Sequence, residues 1–437
     1  MLNMFEPNQK RFSKIGYLIP EFPGQTHIFL WRERQVLSTL GIETSLVSTR
    51  RAAKSLAPHA WSVEAEALTK YLAPFSLNDA FAAAWVLAKA GPRALGRCLQ
   101  VIMRADDLPF AGKMRLAALI LIAAKLVRIA EAESWNHVHV HSCADSANIA
   151  LLASMLAPLT YSLTLHGPTL EGYGPNQAQK WKHARWGFAV SRKLLADLRK
   201  KLPGSLPAVL GVAPMGVNMD VIKREKPYEP WTGGPCRIFC CGRLNLIKGH
   251  VYLIETVSIL KSRGFAVFLQ IAGEDETGGN GYRRELVEII RDKGLQGQIQ
   301  LLGASSEQTV RQGLDNANVF ALASLNEGVP VAVMEAMAMS VPIVVTDVGA
   351  TSELVDHEIN GLLVEAKNPI QMADAIERVL RDPELAMRMS NAAPKKVASD
   401  FNDRRSALML AASLRSDQAS GGVAGDFRFS SQPAPQT

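Results

Sequence analysis

The sequence predicts an α/β fold, and three observations support this prediction. The chain has 437 residues, which is enough for two ordinary domains with a large buried core. Hydrophobic residues make up 48% of it and charged residues 20%, as in globular proteins. Apolar stretches of strand length alternate with helical stretches, and this alternation is typical of parallel sheets covered by helices.

The chain opens with a predicted strand over 14–20 and a predicted helix over 27–40, with Thr26 as the helix cap. Gly24 and Gln25 lie in the loop between them. Such a loop suits phosphate because the free N–H groups of a helix N-terminus attract anions. It lacks the G-x-G-x-x-G pattern of dinucleotide sites, so a turn without a ligand remains the alternative.

The alternation continues through the first half of the chain. Residues 78–132 are mostly helical, with breaks at Gly91-Pro92 and Pro109. His166 ends one of the strands, and ligands of parallel α/β sheets bind beyond the carboxyl ends of strands. We expect His166 at a ligand site, and a hydrogen-bonded structural histidine is the alternative. The further strands of this half are predicted at 43–48, 137–142, 161–167, 187–190 and 209–213.

Three alternating histidines, His137, His139 and His141, face one side of their strand. Three imidazoles on one face suggest a zinc site. Strand residues two apart are separated by roughly 7 Å, however, so the outer pair is too far apart for all three to reach one ion. We therefore expect no metal here.

The second half begins with a connection over 223–235 and a strand over 237–241. The next loop carries Gly242, Arg243 and Lys248. Arginine forks onto phosphate oxygens and lysine adds a point charge, so two cations in a strand-to-helix loop indicate a diphosphate site. Solvated surface cations are the alternative.

The stretch 318–353 predicts a strand, a loop, a helix, a strand and a loop. Gly328, Val329 and Pro330 stand at the start of the helix, where N–H groups attract phosphate. Glu327 precedes the helix and Glu335 lies in its second turn, and carboxylates accept hydrogen bonds from sugar or ribose hydroxyls. A nucleotide sugar requires both kinds of group. The alternative is that Glu327 is a helix-capping acid and Glu335 a solvated helix residue.

The residues from Glu327 to Ala338, with Pro342, Gly349 and Glu353, resemble the Glu, seven residues, Glu signature of retaining glycosyltransferases with the GT-B fold. Members usually have glycine where this chain has Ser340 and often have two glycines at 349–350. The Gly242 to Gly249 loop is similar to the diphosphate site of that family. The opening stretch 17–41 resembles bacterial exopolysaccharide glycosyltransferases, including those of colanic-acid type.

The resemblance implies two Rossmann-like domains that face each other across a cleft. We expect an acceptor-side domain over 1–215, a domain that binds the nucleotide sugar over 216–395, and a helix over 396–416 that crosses back onto the first domain. The last part, 417–437, is rich in Ser, Gly, Gln and Pro and is predicted to be disordered.

The resemblance also implies roles for single residues, and it places His141 beside the cleft while His137 and His139 pack. The expected catalytic residues are Arg243, Lys248, Glu327 and His166. The expected substrate-binding residues are Glu335, Gly328, Val329, Pro330, Gly24, Gln25, Gly242, Gly303 and Glu274.

The composition of the chain limits the classes of partner and cofactor that we expect. A net charge of +7 without a clustered basic arm fits a phosphorylated substrate or an anionic membrane better than nucleic acid. The five cysteines have no metal-ligand spacing and suit a reducing cytoplasm. No acidic doublet for a metal ends a strand, so we expect no metal and no cofactor. Residues 113–128 combine an apolar face with basic residues, which indicates either membrane contact or packing on the sheet.

The resulting hypothesis is a metal-independent retaining hexosyltransferase of exopolysaccharide biosynthesis. It would act at the inner face of the cytoplasmic membrane, since the chain begins without an apolar signal segment. Its donor would be a UDP- or GDP-sugar and its acceptor a lipid-linked saccharide. A sugar-nucleotide epimerase of similar fold and a non-catalytic nucleotide-sugar-binding protein are the alternatives.

Overall fold

The computed structural model describes residues 14–52 and 60–419. The first of its two sheets has seven strands in the order β3-β2-β1-β4-β5-β6-β7, and the paired strands run parallel. Its strands are β1 (Ile15–Glu21), β2 (Thr44–Arg50), β3 (Lys70–Tyr71), β4 (His137–Val140), β5 (Thr160–Leu165), β6 (Trp186–Ala189) and β7 (Val209–Val212).

The second sheet has six parallel strands in the order β10-β9-β8-β11-β12-β13. Its first strand lies inside the sheet and the order reverses beside it, as in doubly wound nucleotide-binding folds. Its strands are β8 (Cys236–Cys241), β9 (Val267–Ala272), β10 (Ile299–Gly303), β11 (Val319–Leu322), β12 (Ile343–Thr346) and β13 (Leu362–Val364). These two sheets confirm the predicted α/β fold with two Rossmann-like domains.

Helices connect successive strands and cover both sheets. Two breaks follow the sequence: Gly91 has φ 74° inside α3, and Pro109 stands before α4. The helices are α1 (Ile28–Thr39), α2 (Trp61–Leu68), α3 (Leu77–Met103), α4 (Phe110–Glu133), α5 (Asp145–Leu156), α6 (Gln177–Lys182), α7 (Arg192–Lys201), α8 (His250–Ser262), α9 (Tyr282–Asp292), α10 (Glu307–Asn316), α11 (Val331–Ala338), α12 (Thr351–Leu354), α13 (Pro369–Arg381), α14 (Pro383–Asp400) and α15 (Arg404–Ala419).

The start of α1 corrects one prediction. The helix begins at Ile28 with His27 at the N-cap position, so the assignment of Thr26 as the cap is wrong. His27 N donates to the carbonyl of Gly24 at 3.1 Å, which means that a backbone turn closes the loop one residue later than the sequence pattern suggested.

The last helix, α15, packs on the first sheet. Leu410 and Leu414 share an apolar cluster with Ile15 and Tyr17 of β1. The chain leaves the first sheet near Gly216 and returns beside it, where Val217 N donates to the carbonyl of Phe401 at 3.0 Å. The domain limits at 215 and 395 stay predictions. Residues 417–419 belong to α15, and the rest of the predicted tail lies outside the described residues.

Candidate functional site

A cleft of about 820 Å³ lies between the carboxyl ends of the two sheets and is lined by both halves of the chain. The loop after β1 and the end of β5 contribute from the first half, and the loops after β8 and β11 contribute from the second. The cleft therefore brings together most of the residues that the sequence singled out. Those that line it are Gly24, Gln25, His166, Gly242, Arg243, Lys248, Glu327, Gly328, Val329, Pro330 and Glu335.

Lys248 and Glu327 form an ion pair at the centre of the cleft. Lys248 Nζ lies 2.5 Å from Glu327 Oε1, and Ser324 Oγ donates to the same oxygen at 2.6 Å. Both side chains are largely buried, which strengthens their attraction because little water screens it. An ammonium group and a carboxylate thus hold each other in place where a substrate with complementary groups could bind.

Two close backbone approaches position Glu327. Gly349 has φ 60°, and a Cβ there would lie 1.7 Å from the carbonyl oxygen of Glu327. Ala350 N donates to that same oxygen at 3.2 Å. On the other side, a Cβ on Gly328 would lie 2.7 Å from the carbonyl oxygen of His166 in the first half of the chain. Glycine is required at 349 because the loop after β12 lies directly against the Glu327 backbone, and at 328 because the two domains meet there with no room for a side chain.

The loop after β8 holds its two cations differently. Asn245 Oδ1 accepts from Lys248 N at 3.1 Å, and Gly249 takes φ 61° against the carbonyl of Ala323, so Lys248 is fixed. The Arg243 side chain is 45% exposed and lies 3.3 Å from Glu276 Oε1. Lys248 is therefore prearranged, whereas Arg243 is free to follow a ligand.

Glu335 lies beside Arg32, a cation that the sequence analysis did not single out. Arg32 Nη1 from α1 lies 3.8 Å from Glu335 Oε1, and Arg32 Nη2 donates to Glu307 Oε2 at 3.0 Å. Burial raises the pKa of Glu335 to about 7, since the nearby Arg32 lowers it only in part and Glu307 raises it further. One arginine thus contacts two acids of the opposite domain.

Gln25 and Glu274 also join the two halves of the chain. Gln25 Oε1 accepts from Glu274 N at 2.8 Å, and Gln25 Nε2 donates to Glu274 O at 3.2 Å. The Glu274 side chain turns away from the cleft and pairs with Arg283 at 2.8 Å. Gly303 packs against it, with Gly273 N donating to Gly303 O at 2.8 Å. Glu274 and Gly303 thus lie behind the cleft-lining residues.

The histidines form hydrogen-bonded pairs. His137 contacts Thr160 and Ser162, and His139 contacts Ser162 and Thr164, all within 2.9 Å. His141 Nδ1 lies 3.0 Å from His166 Nε2, and both of these residues line the cleft. Burial first of all lowers the pKa of His166 to about 3, so this histidine is neutral at neutral pH.

Arg32 and Glu33 are the main residues that the sequence analysis passed over. They are buried, although they belong to a helix whose apolar side is formed by Leu30 and Leu37. Glu33 is three residues after Leu30 and four before Leu37, so a charge interrupts the apolar stripe of α1. This charge within the apolar stripe is the feature of the sequence from which a functional role of Glu33 could have been predicted.

Across residues 14–52 and 60–419, no group of three acidic, histidine or cysteine side chains could hold a metal ion. Within the same ranges, no helix has the length and apolar character that crossing a membrane demands.

Several known proteins are similar to this chain in sequence. The family model described as glycosyl transferases group 1 matches residues 221–396, which include the loop after β8 and both cleft carboxylates. A putative colanic acid biosynthesis glycosyltransferase of Salmonella typhimurium is 31% identical over 282 residues, 63% of this chain and 67% of that protein. The chain belongs to the group 1 glycosyltransferases. A putative colanic acid glycosyltransferase of Escherichia coli is 24% identical to this glycosyltransferase over 90% of the chain and 97% of its own length.

Solved structures confirm the GT-B fold of this glycosyltransferase. Anabaena Alr3699/HepE in complex with UDP-glucose superposes with a TM-score of 0.69 at 17% identity, covering 92% of this chain and 99% of that one. A glycosyltransferase from Rickettsia africae gives a TM-score of 0.66 at 17% identity, covering 93% and 99%. The comparisons favour neither an epimerase nor a non-catalytic binding protein.

Proposed function

We propose that this glycosyltransferase moves a sugar from a nucleotide sugar to a saccharide acceptor with retention of anomeric configuration. The observation that carries the proposal is the convergence of Arg243, Lys248, Glu327 and Glu335 in one cleft between the domains. Cations and carboxylates in one site match the diphosphate and the hydroxyls of such a donor.

Each group has a task in the proposed reaction. Lys248 and Arg243 stabilise the negative charge that develops on the leaving diphosphate, assisted by the start of α11 at 328–330. Glu335 accepts from the ribose hydroxyls, while Glu327 and His166 hold the sugar. When the donor binds, its phosphate oxygens replace Glu327 as the partner of Lys248, and this exchange releases the Glu327 carboxylate to the sugar hydroxyls. These cations neutralise the diphosphate, so the proposed mechanism requires no metal.

The proposed pathway is exopolysaccharide biosynthesis. It is supported by the colanic acid relatives and by an amylovoran biosynthesis glycosyltransferase of Erwinia amylovora, 30% identical over 46% of this chain and 48% of that protein. A growing polymer of this kind carried on a lipid would meet the enzyme at the cytoplasmic face of a membrane. The acceptor that we propose is therefore a lipid-linked saccharide.

One helix offers a surface for that membrane. Leu77, Phe81 and Trp85 on α3 are spaced by four residues and are 81%, 78% and 59% exposed. Lys89 continues the same spacing, and its ammonium lies 5.1 Å from the Trp85 ring. Residues 77–133 carry eight Lys and Arg against five Asp and Glu. An apolar stripe in a basic segment suits an anionic bilayer. Residues 113–128, the segment singled out by sequence, lie on the neighbouring helix α4.

A donor screen tests the proposed function. UDP- and GDP-sugars, with the bare diphosphates as references, are expected to raise the midpoint of thermal unfolding because a ligand stabilises the folded state it binds. The stabilising donor is then incubated alone and with a lipid-linked saccharide, and the anomeric proton of the product is read by NMR. Conversion of the donor to an epimer would refute transfer, and a product with inverted configuration would refute retention.

A further inference from the structure

A row of polar side chains leads from the core of the first domain to the cleft. The Tyr17 hydroxyl donates to Glu33 Oε2 at 2.5 Å, and that oxygen lies 3.2 Å from His141 Nε2. His141 Nδ1 lies 3.0 Å from His166 Nε2, and His166 lines the cleft. Glu33 and His141 are only 3% and 5% exposed. The row thus connects a buried carboxylate to a residue of the candidate site.

Such a row is costly for folding. A buried carboxyl group loses its hydration, and apolar residues of similar size fill a core without that loss. Glu33 lies on the apolar side of α1, where leucine would pack as Leu30 and Leu37 do. The carboxyl group contacts Tyr17 and His141, not solvent, which points to a task that it performs through His141.

Proton positions follow from the geometry. His141 and His166 are both neutral at neutral pH, because burial above all lowers the pKa of each to about 3, and so each ring carries one N–H. His141 Nε2 and Glu33 Oε2 are close, but their alignment does not make a hydrogen bond. The oxygen still favours a proton on Nε2, because it would repel a lone pair on that nitrogen. His141 Nδ1 then accepts from Nε2–H of His166. The lone pair of His166 is left on Nδ1.

We propose that Glu33 and His141 are positioning residues that fix the tautomer and orientation of His166, so that its Nδ1 accepts a hydrogen bond from a sugar hydroxyl. This inference rests on the proposed function. A ring without these partners would divide between two tautomers and two orientations, and only part of the molecules would present an acceptor to the sugar.

The tautomer is measured by ¹⁵N NMR of the full chain labelled on histidine side chains, with His166→Gln used to assign the His166 signals. We expect a single form of His166 with its proton on Nε2. In Glu33→Leu and in His141→Leu this form is expected to give way to a mixture or to the Nδ1–H form. His137→Leu is the matched control: His137 is a buried histidine of the same strand that bonds to Thr160 and Ser162 and stacks on Trp186, and its loss should leave His166 unchanged.

A binding measurement separates positioning from a general structural effect. Glu33→Leu and His141→Leu should weaken UDP-glucose by about tenfold, the value of one hydrogen bond, and leave UDP unchanged. Equal weakening of both ligands, or a folded Glu33→Leu protein in which His166 keeps the Nε2–H form, would overturn the inference. If wild type binds neither ligand, the proposed donor class is wrong for these probes, and the NMR result still decides the tautomer.

Discussion

At the scale of single residues, charged groups of the site already have partners within the protein before any ligand arrives. Lys248 pairs with Glu327, and Arg32 contacts both Glu307 and Glu335. In the proposed reaction, the diphosphate and hydroxyls of the donor take the place of these internal partners. Pairing within the protein before the donor binds lowers the cost of holding these charges in a largely buried site.

We predict that Lys248→Ala lowers kcat/KM strongly. The ammonium stabilises developing charge on the leaving diphosphate, and its loss should cost roughly 2–4 kcal/mol of transition-state stabilisation. The measurement is steady-state transfer with the donor found by the screen. Lys261→Ala is the control, since Lys261 lies at the far end of α8 and bonds to Gly294 O. Unchanged turnover in a folded Lys248→Ala protein would contradict the assignment.

A second residue-scale prediction concerns pH and Glu335. Its folded pKa is raised from 4.5 to about 7, so between these values the folded state binds more protons than the unfolded state. The associated free energy of unfolding therefore falls as pH rises from about 4.5 to about 7, by up to about 3 kcal/mol. Urea unfolding of wild type and Glu335→Gln at several pH values measures this loss.

The variant Glu335→Gln should lack that pH dependence. Glu307→Gln removes a charge that raises the pKa of Glu335, so it should shift the loss of stability to lower pH without abolishing it. Parallel curves for wild type and Glu335→Gln across this range would show that Glu335 does not titrate there.

At the scale of elements, α11 shows how much the sequence pattern predicts. The strand, loop, helix and strand of 318–353 appear in the predicted order, because each apolar stretch was bounded by turn residues. Most of the residues that the resemblance singled out line the cleft, and their roles there stay predictions. Arg32 and Glu33 escaped prediction because their partners Glu307 and His141 lie more than a hundred residues away, and no local pattern carries such a contact.

Ser340, which follows the C-cap residue of α11, has an unusual backbone conformation. Its φ is 57°, a region that residues with a Cβ adopt at a cost of about 1 kcal/mol or more, and the family resemblance places glycine there. We predict that Ser340→Gly raises the free energy of unfolding by roughly 0.5–1 kcal/mol. The comparison of thermal unfolding midpoints with wild type measures this gain.

The matched control for that change is Ser306→Gly. Ser306 caps α10, where its Oγ accepts from Thr309 N at 3.2 Å, so glycine there should reduce stability by a few tenths of a kcal/mol. A loss of stability in both variants would show that the conformation of Ser340 is not strained.

At the scale of the whole molecule, we predict salt-dependent binding to anionic membranes. The protein should float with anionic liposomes at low salt, because basic residues near α3 attract the surface and the apolar stripe inserts. Phe81→Ser combined with Trp85→Ser should reduce flotation, whereas Ile370→Ser, an exposed apolar residue of the second half, should not. Failure of the wild type to float at any salt concentration would refute membrane docking.

The two chain crossings near Gly216 and Phe401 lie side by side, bonded to each other through Val217. The segment between these two points, which contains the second sheet, is therefore joined to the rest of the chain at two adjacent positions. In topological terms the unit built on the second sheet is an insertion, because α15 returns to pack on the first sheet. A unit inserted in this way can be exchanged for another with the same spacing between its ends, while the first sheet and α15 keep their own chain connections.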